Sequence, residues 1–249
     1  MLILLPPSET KRPGGRTRIV DIAGFALPEL RAARESAVNA LVELSADEER
    51  AARVLKLSRR QREDIAHNAT LRSAPTLPAV DRYTGVLFDA LDAATLTAAS
   101  RRWLGAHVLI HSAPFGPVAA LDAIPTYRLA AGTALPGIPP LRRHWAGEVT
   151  EALRTAAPSF VLDLRSEAYV ALGPVPSDVA SAYVRVVTIG EDGATRALNH
   201  FNKHGKGALV RRLAETRPRI ATREALLAWA ETAGVTLQDG APGEIDLVV

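Results

Sequence analysis

The residues best placed to do chemistry together run Asn199-His-Phe-Asn-Lys-His-Gly-Lys-Gly-Ala-Leu-Val-Arg-Arg-Leu213. From about Asn202 the spacing predicts a helix, because Lys206, Leu209, Val210 and Leu213 recur at i, i+3, i+4 and i+7 and share one face. Lys206 therefore opens an apolar stripe instead of pointing squarely at water. Lys203, Gly207 and Arg211 form the neighbouring row, and Asn199 and Asn202 both suit an N-cap. A helix start presents unpaired N–H groups and the positive end of its dipole. Two lysines and two glycines there would cradle an anion. A lysine closing an apolar stripe can equally run its stem along the core and surface its ammonium.

Charge is unevenly spread. Residues 199–223 hold seven Lys/Arg and a single acid, Glu215, whereas the 249-residue chain has 30 Lys+Arg against 27 Asp+Glu, a net of only +3. A second basic stretch, Ser8 to Arg18, sets Lys11, Arg12, Arg16 and Arg18 against Glu9. Basicity gathered into two stretches of an otherwise acidic chain is the footprint of a polyanion partner. The first expectation is therefore DNA binding. Lys203, Lys206, Arg211 and Arg212, with Lys11, Arg12, Arg16 and Arg128, would line one cleft and neutralise phosphates. Ser8, Thr10 and Tyr83 would add hydrogen bonds, and Gly207 would let the backbone approach. Aromatic residues make up 5% of the chain, so backbone and shape recognition is expected over base stacking.

The second expectation is an enzyme acting on a nucleotide or nucleobase. Lys206 would be its nucleophile or electrostatic stabiliser, and Asp163 or Glu167, at the end of a strand, its acid/base; strand-end acids can equally be caps. These residues also admit a small-molecule ligand. His200 and His204 stand at i, i+4, but adjacent lysines repel a cation and no carboxylate shares their face, so neither a metal nor a cofactor is expected. Cysteine is absent, which excludes disulfides, iron–sulfur clusters and thiol peroxidase chemistry. No serine-hydrolase elbow, dinucleotide fingerprint or zincin motif occurs. Leu2–Leu5 is an apolar run closed by Pro6-Pro7, and no run approaches the roughly 18 residues of a membrane span. A cytoplasmic protein with no membrane partner is expected.

The elements that must position these residues alternate irregularly. Helices are predicted at Pro28–Leu44, Asp47–Leu57, Ser58–Leu71, within Ala79–Leu91, at Thr95–Gly105, Pro140–Ala156, Asn202 onward and Thr222–Thr232. Strands are predicted at Met1–Leu5, Ala106–Ser112, Ile124–Leu129, Phe160–Leu164, Ala182–Ile189, Val235–Leu237 and Glu244–Val249. Without a regular βα period, this order points to a mixed α/β (α+β) fold: one domain over residues 1–249, a mixed sheet surrounded by helices. Ala134-Leu-Pro-Gly-Ile138 resembles the turn of a helix-hairpin-helix, with the helix from Pro140 as its second arm; an ordinary Pro/Gly turn is the alternative.

Several separated stretches fit one pattern: Leu2-Ile-Leu-Leu-Pro-Pro-Ser-Glu-Thr10, Arg82-Tyr-Thr-Gly85 with Phe88, Tyr127-Arg-Leu129, Gly132-Thr133, Trp145, Leu162-Asp-Leu-Arg-Ser-Glu-Ala-Tyr169, and Asn202-Lys-His-Gly-Lys-Gly207 with Arg211. In this order they resemble the YaaA family of bacterial peroxide-stress proteins. The resemblance implies a cytoplasmic protein that protects against hydrogen peroxide and limits iron-linked DNA damage. It further implies a single mixed α/β domain with a DNA-binding basic cleft and a helix-hairpin-helix-like element. Lys206 stands where many members carry arginine, so electrostatic binding would survive but a bidentate guanidinium contact would not.

Overall fold

The computed structural model describes residues 1–15, 19–189, 195–197 and 202–249. Arg16, Arg18, Asn199, His200 and the turn at residues 191–193 lie outside them. In chain order the strands are β1 (Leu2–Leu5), β2 (Leu77–Pro78), β3 (Val108–Ser112), β4 (Gly116–Ala119), β5 (Ala123–Ile124), β6 (Val161–Asp163), β7 (Ser181–Ile189), β8 (Thr195–Ala197), β9 (Leu237–Asp239) and β10 (Glu244–Val248). The α-helices are α1 (Arg31–Leu44), α2 (Glu48–Val54), α3 (Glu63–Ala69), α4 (Ala79–Arg82), α5 (Val86–Leu91), α6 (Ala98–His107), α7 (Leu141–Thr155), α8 (Glu167–Val170), α9 (Asn202–Thr216) and α10 (Arg223–Ala233).

The main sheet has the order β4-β3-β1-β6-β7-β10-β9, with β8 beside β7. Its middle five strands pair in parallel, and β4, β8 and β9 pair antiparallel. This is the mixed α/β architecture expected. Strand β1 lies between β3 and β6, and Ile3, Leu4 and Leu5 are at most 1% exposed. A parallel sheet covered on both faces needs such uninterrupted apolar runs. From β1 the chain departs through α1–α6 to β3; from β6 it departs through α8 to β7. The two outgoing loops diverge, which opens a crevice between the carboxyl ends of β1 and β6.

Strand β4 was not expected, because it contains Gly116 and Pro117. It is an edge strand, where the missing amide of proline costs no ladder bond. The expected strand Ile124–Leu129 pairs only at its start, with β2. The helix-hairpin-helix is not formed among the described residues: the segment from Pro125 to Pro140 is non-helical, and only the second arm, α7, exists. Its four prolines withhold amide donors, and side chains from elsewhere hold its backbone. Arg82 Nε donates to Ile124 O (3.1 Å), while the Asn68 amide both donates to Arg128 O (2.9 Å) and accepts from Arg128 N (2.8 Å). Arg82, fully buried, also donates to Gly14 O, Thr126 Oγ1 and Pro75 O, each at 2.9 Å, and so fixes the loop that follows β1.

Helix α9 reaches the crevice because it lies unusually close to its neighbours. A Cβ on Gly207 would stand 2.1 Å from Leu87 O of α5, and one on Gly205 would stand 3.0 Å from Val249 Cγ1 and 3.4 Å from Leu247 Cδ2. Gly207→Ala is therefore expected to destabilise the fold by about 3 kcal/mol through overpacking. Gly147→Ala, on an exposed stretch of α7 with nothing within 4 Å, should instead stabilise it by about 1 kcal/mol. Urea midpoints at unchanged m-value separate the two.

Candidate functional site

The crevice is a cleft of about 540 Å³, walled by Pro6–Glu9 after β1, by Leu164 and residues 166–169 after β6, and by the first turn of α9. Strand register sets one cross-sheet row, Leu4–Asp163–Tyr183–Glu244, whose side chains share a face. Tyr183 divides the cleft from an adjoining hollow of about 490 Å³ that includes Asp163, Glu167 and Glu244.

Lys206 lies at the inner side of the cleft and is 4% exposed, at the head of a stripe in which Leu209, Val210 and Leu213 are at most 2% exposed. The residue is buried, and its ammonium opens on the cleft. Nζ sits 5.2 Å from the Tyr183 ring centroid, a cation–π distance, and it finds no hydrogen-bond acceptor among the described residues. Burial pushes its pKa down to about 8, and the Asp163 carboxylate only partly opposes this. Tyr183 is held protonated, its pKa raised first by burial and then by Asp163, Glu167 and Glu244.

Asp163 is engaged at both oxygens by Arg165 and makes no ion pair with Lys206. Arg165 Nη2 meets Oδ2 at 2.6 Å, and Nε and the backbone N meet Oδ1 at 2.9 and 3.0 Å. The buried guanidinium also donates to Gly173 O (2.9 Å) and to His111 Nδ1 (3.0 Å). Burial and then Arg165 push the His111 pKa well below the usual imidazole value. A neutral ring that accepts at Nδ1 carries its proton on Nε2, and that buried atom has no partner. Asp163 is thus a braced residue and not a free base. Glu167 is exposed at the start of α8 on the cleft wall, and its carboxylate has no partner among the described residues.

The other expected residues divide. Ser8 and Lys203 line the cleft, Lys203 exposed at its mouth. Thr10 faces the adjoining space beside Gly85 and donates to Thr84 O (3.2 Å). Lys11 lies beneath the wall. Its Nζ donates to Ser8 O (3.0 Å) and Glu9 O (3.3 Å) and stands 4.1 Å above the Tyr127 ring. Burial and then Arg128 lower its pKa to about 7. Tyr83, 2% exposed, shares its hydroxyl with that of Tyr127 at 2.7 Å, so it serves the interior and not a ligand. Arg128 pairs with Glu9 at 3.2 Å, and Arg12 borders a separate hollow with Asp81, Asp89 and Asp92.

Three placements correct the expectation of a single basic cleft. Arg211 donates to Leu91 O, Asp92 O and Thr95 Oγ1, each at 3.1 Å, and pairs with Glu215 at 3.0 Å. Arg212 turns to Ala233 O at 3.0 Å. Gly207 packs on α5. The cleft wall itself sets Lys203 and Lys206 against Glu9 and Glu167, so its formal charge balances. His204 is exposed on α9, and among the described residues no three His, Asp or Glu side chains cluster as metal ligands. Tyr183 and Arg165 were not anticipated. The alternation of β7, with Tyr183 and Arg185 outward and Val184 and Val186 buried, was the available signal for the first.

The buried lysine fixes a pH dependence. A folded-state pKa near 8 against about 10.4 in the unfolded chain means the folded state binds fewer protons between those values, so stability rises with pH across that window. Lys206→Met should therefore be more stable than the parent at pH 7 by on the order of 1–3 kcal/mol, with the advantage shrinking toward pH 10. Urea unfolding of both proteins at pH 7, 8.5 and 10 reads the difference.

Among the described residues no helix is long and apolar enough to cross a membrane. The sequence profile of the family described as "Peroxide stress protein YaaA" matches residues 1–238. A UPF0246 protein of Corynebacterium efficiens is 46% identical over 256 residues, covering 100% of both chains. Another, of Streptomyces coelicolor, is 44% identical over 218 residues, covering 87% of this chain and 84% of its own. One of Corynebacterium glutamicum is 40% identical across 96% and 95% of the two chains. Full-length similarity at this level, with the cleft-forming segments inside the matched span, establishes that the chain belongs to the YaaA peroxide-stress protein family.

Proposed function

We propose that this protein protects against peroxide by binding DNA through the cleft between β1 and β6, taking an unpaired nucleotide there and limiting iron-linked damage at that strand. The observation that carries the reading is the pairing of an exposed cation, Lys203, with a buried one, Lys206, in one cleft. A volume of about 540 Å³ is in the range of small-molecule sites, roughly 300–1,000 Å³. It admits one nucleotide and excludes a duplex. Arg211 and Arg212 are engaged elsewhere, which removes the extended cationic row that duplex binding would use. Ser8 and Asn202 supply hydrogen bonds at the mouth.

Few phosphate contacts mean a shallow salt dependence, a log–log slope of roughly −0.7 for each phosphate neutralised on a single strand. Gapped or single-stranded DNA should bind better than a matched duplex. Lys203→Ala should weaken binding about fivefold and make the slope less negative by about 0.7. Fluorescence anisotropy at 50–300 mM salt measures both. Salt-independent binding, or equal binding by Lys203→Ala, would contradict the reading. Strand breakage by Fe(II) and peroxide on the same oligonucleotides should fall when the protein is bound.

The lowered pKa of Lys206 favours a second reading, an enzyme acting on a nucleotide or nucleobase. With a pKa near 8, roughly a quarter of the side chain is free amine at pH 7.5. Lys206 would then be the nucleophile or electrostatic stabiliser and Glu167 the proton carrier. Asp163, braced by Arg165, would orient the wall and polarise the site.

A further inference from the structure

Nucleotide binding uses both lysines of the cleft but not the difference in their surroundings. Lys206 is 4% exposed, its ammonium opens on the cleft with no hydrogen-bond acceptor among the described residues, and the Tyr183 ring stands beside it. One turn earlier on the same helix, Lys203 stands exposed at the mouth beside Asn202, the first residue of the 15-residue α9. Side chains at i and i+3 leave a helix about 5–6 Å apart. One turn of helix thus carries an exposed lysine and a buried one, both on the cleft.

We propose that the cleft takes a phosphorylated aldehyde, with the phosphate on Lys203 and the start of α9 and the carbonyl carbon against Lys206, which condenses with it to an imine. The proposal rests on the reading of the cleft as a nucleotide site and names its substrate class. The free amine of Lys206 attacks the carbonyl carbon, forming the C–N bond while the C=O π pair moves to oxygen. The Glu167 carboxylate relays one proton from the attacking nitrogen to that oxygen, which takes a second proton from solvent and leaves as water. The product is a protonated imine, and the Glu167 carboxylate is regenerated. No oxidant or reductant is consumed. The cationic imine faces the Tyr183 ring, as the ammonium did. Partial desolvation of the amine is what makes it nucleophilic. An open-chain sugar phosphate, free in solution or as the abasic residue of a DNA strand, carries both required groups.

The test is reductive trapping of the full chain with cyanoborohydride at pH 8. The probes are 2-deoxyribose 5-phosphate, unphosphorylated 2-deoxyribose and an abasic oligonucleotide, read by intact mass and peptide mapping. The expected result is a single adduct at Lys206, formed at least tenfold faster with the phosphorylated sugar than with the bare sugar. Lys203→Ala should remove that advantage, and Lys206→Arg, which keeps the charge, should give no adduct at this site. Labelling by the strand alone identifies nucleic acid as the source; labelling by the free sugar phosphate alone identifies a small metabolite. Adducts scattered over surface lysines, or no preference for the phosphate, would overturn the proposal. DNA affinity measured on the same preparations separates it from the function it rests on. A protein that binds DNA with the expected salt slope yet forms no Lys206 adduct sinks the aldehyde chemistry alone. One that traps the free sugar phosphate but binds no DNA sinks the DNA reading alone.

Discussion

An ammonium buried without a carboxylate or carbonyl to receive it is an unfavourable thing to build, and the architecture around the cleft is arranged to keep one there. Lys206 could escape if α9 stood further from the sheet or if Asp163 were free to pair with it. Neither happens. Gly205 and Gly207 let α9 settle against the sheet and α5, where any larger residue at 207 would strike the Leu87 carbonyl. Arg165 occupies both oxygens of Asp163. The lysine is left facing an aromatic ring and an open cleft, and its proton is correspondingly loose.

Buried arginine is the recurring device that shapes the surroundings. Arg34 donates to the carbonyls of Phe115, Leu27, Ala26 and Pro117, and Arg82 to those of Ile124, Gly14 and Pro75. Arg165 adds the carbonyl of Gly173 and the His111 ring to its carboxylate partner. A guanidinium presents five donors in a rigid fork and stays charged, so each can tie several irregular loops that have no ladder to hold them. The loop after β1, which forms one cleft wall, is fixed by Arg82 on one side. On the other, Lys11 is bound to the carbonyls of Ser8 and Glu9. Arg34, Arg82 and Arg165 thus act as internal cross-links, cations that do not line the cleft.

That division explains what could be read from the sequence and what could not. The helical stripe of Lys206, Leu209, Val210 and Leu213 was legible because periodicity is a local property, and so were the apolar runs of β1, β3 and β6. The cluster of cations around residue 203 was equally visible, but its destination was not. Arg211 finds its partners at Leu91, Asp92 and Thr95, more than a hundred residues upstream, and Arg212 finds Ala233 on α10. Gly207 was taken for an anion cradle and proved to be a contact with Leu87, a choice only the tertiary packing makes. Tyr83 carried the family resemblance, yet its hydroxyl belongs to Tyr127. The turn at Ala134–Ile138 had the local chemistry of a hairpin, but the segment before it is held non-helical by Arg82, Asn68 and its own prolines.

The central claim is that Lys206, buried beside the Tyr183 ring with no acceptor among the described residues, is partly deprotonated near neutral pH. The most direct measurement is an NMR titration of the side-chain signals of isotopically labelled lysine, with Lys206→Met supplying the assignment. The account predicts one lysine signal, absent from the variant, that titrates with a pKa of about 8. A Lys206 signal that titrates near the unperturbed lysine value of about 10.4 would contradict it.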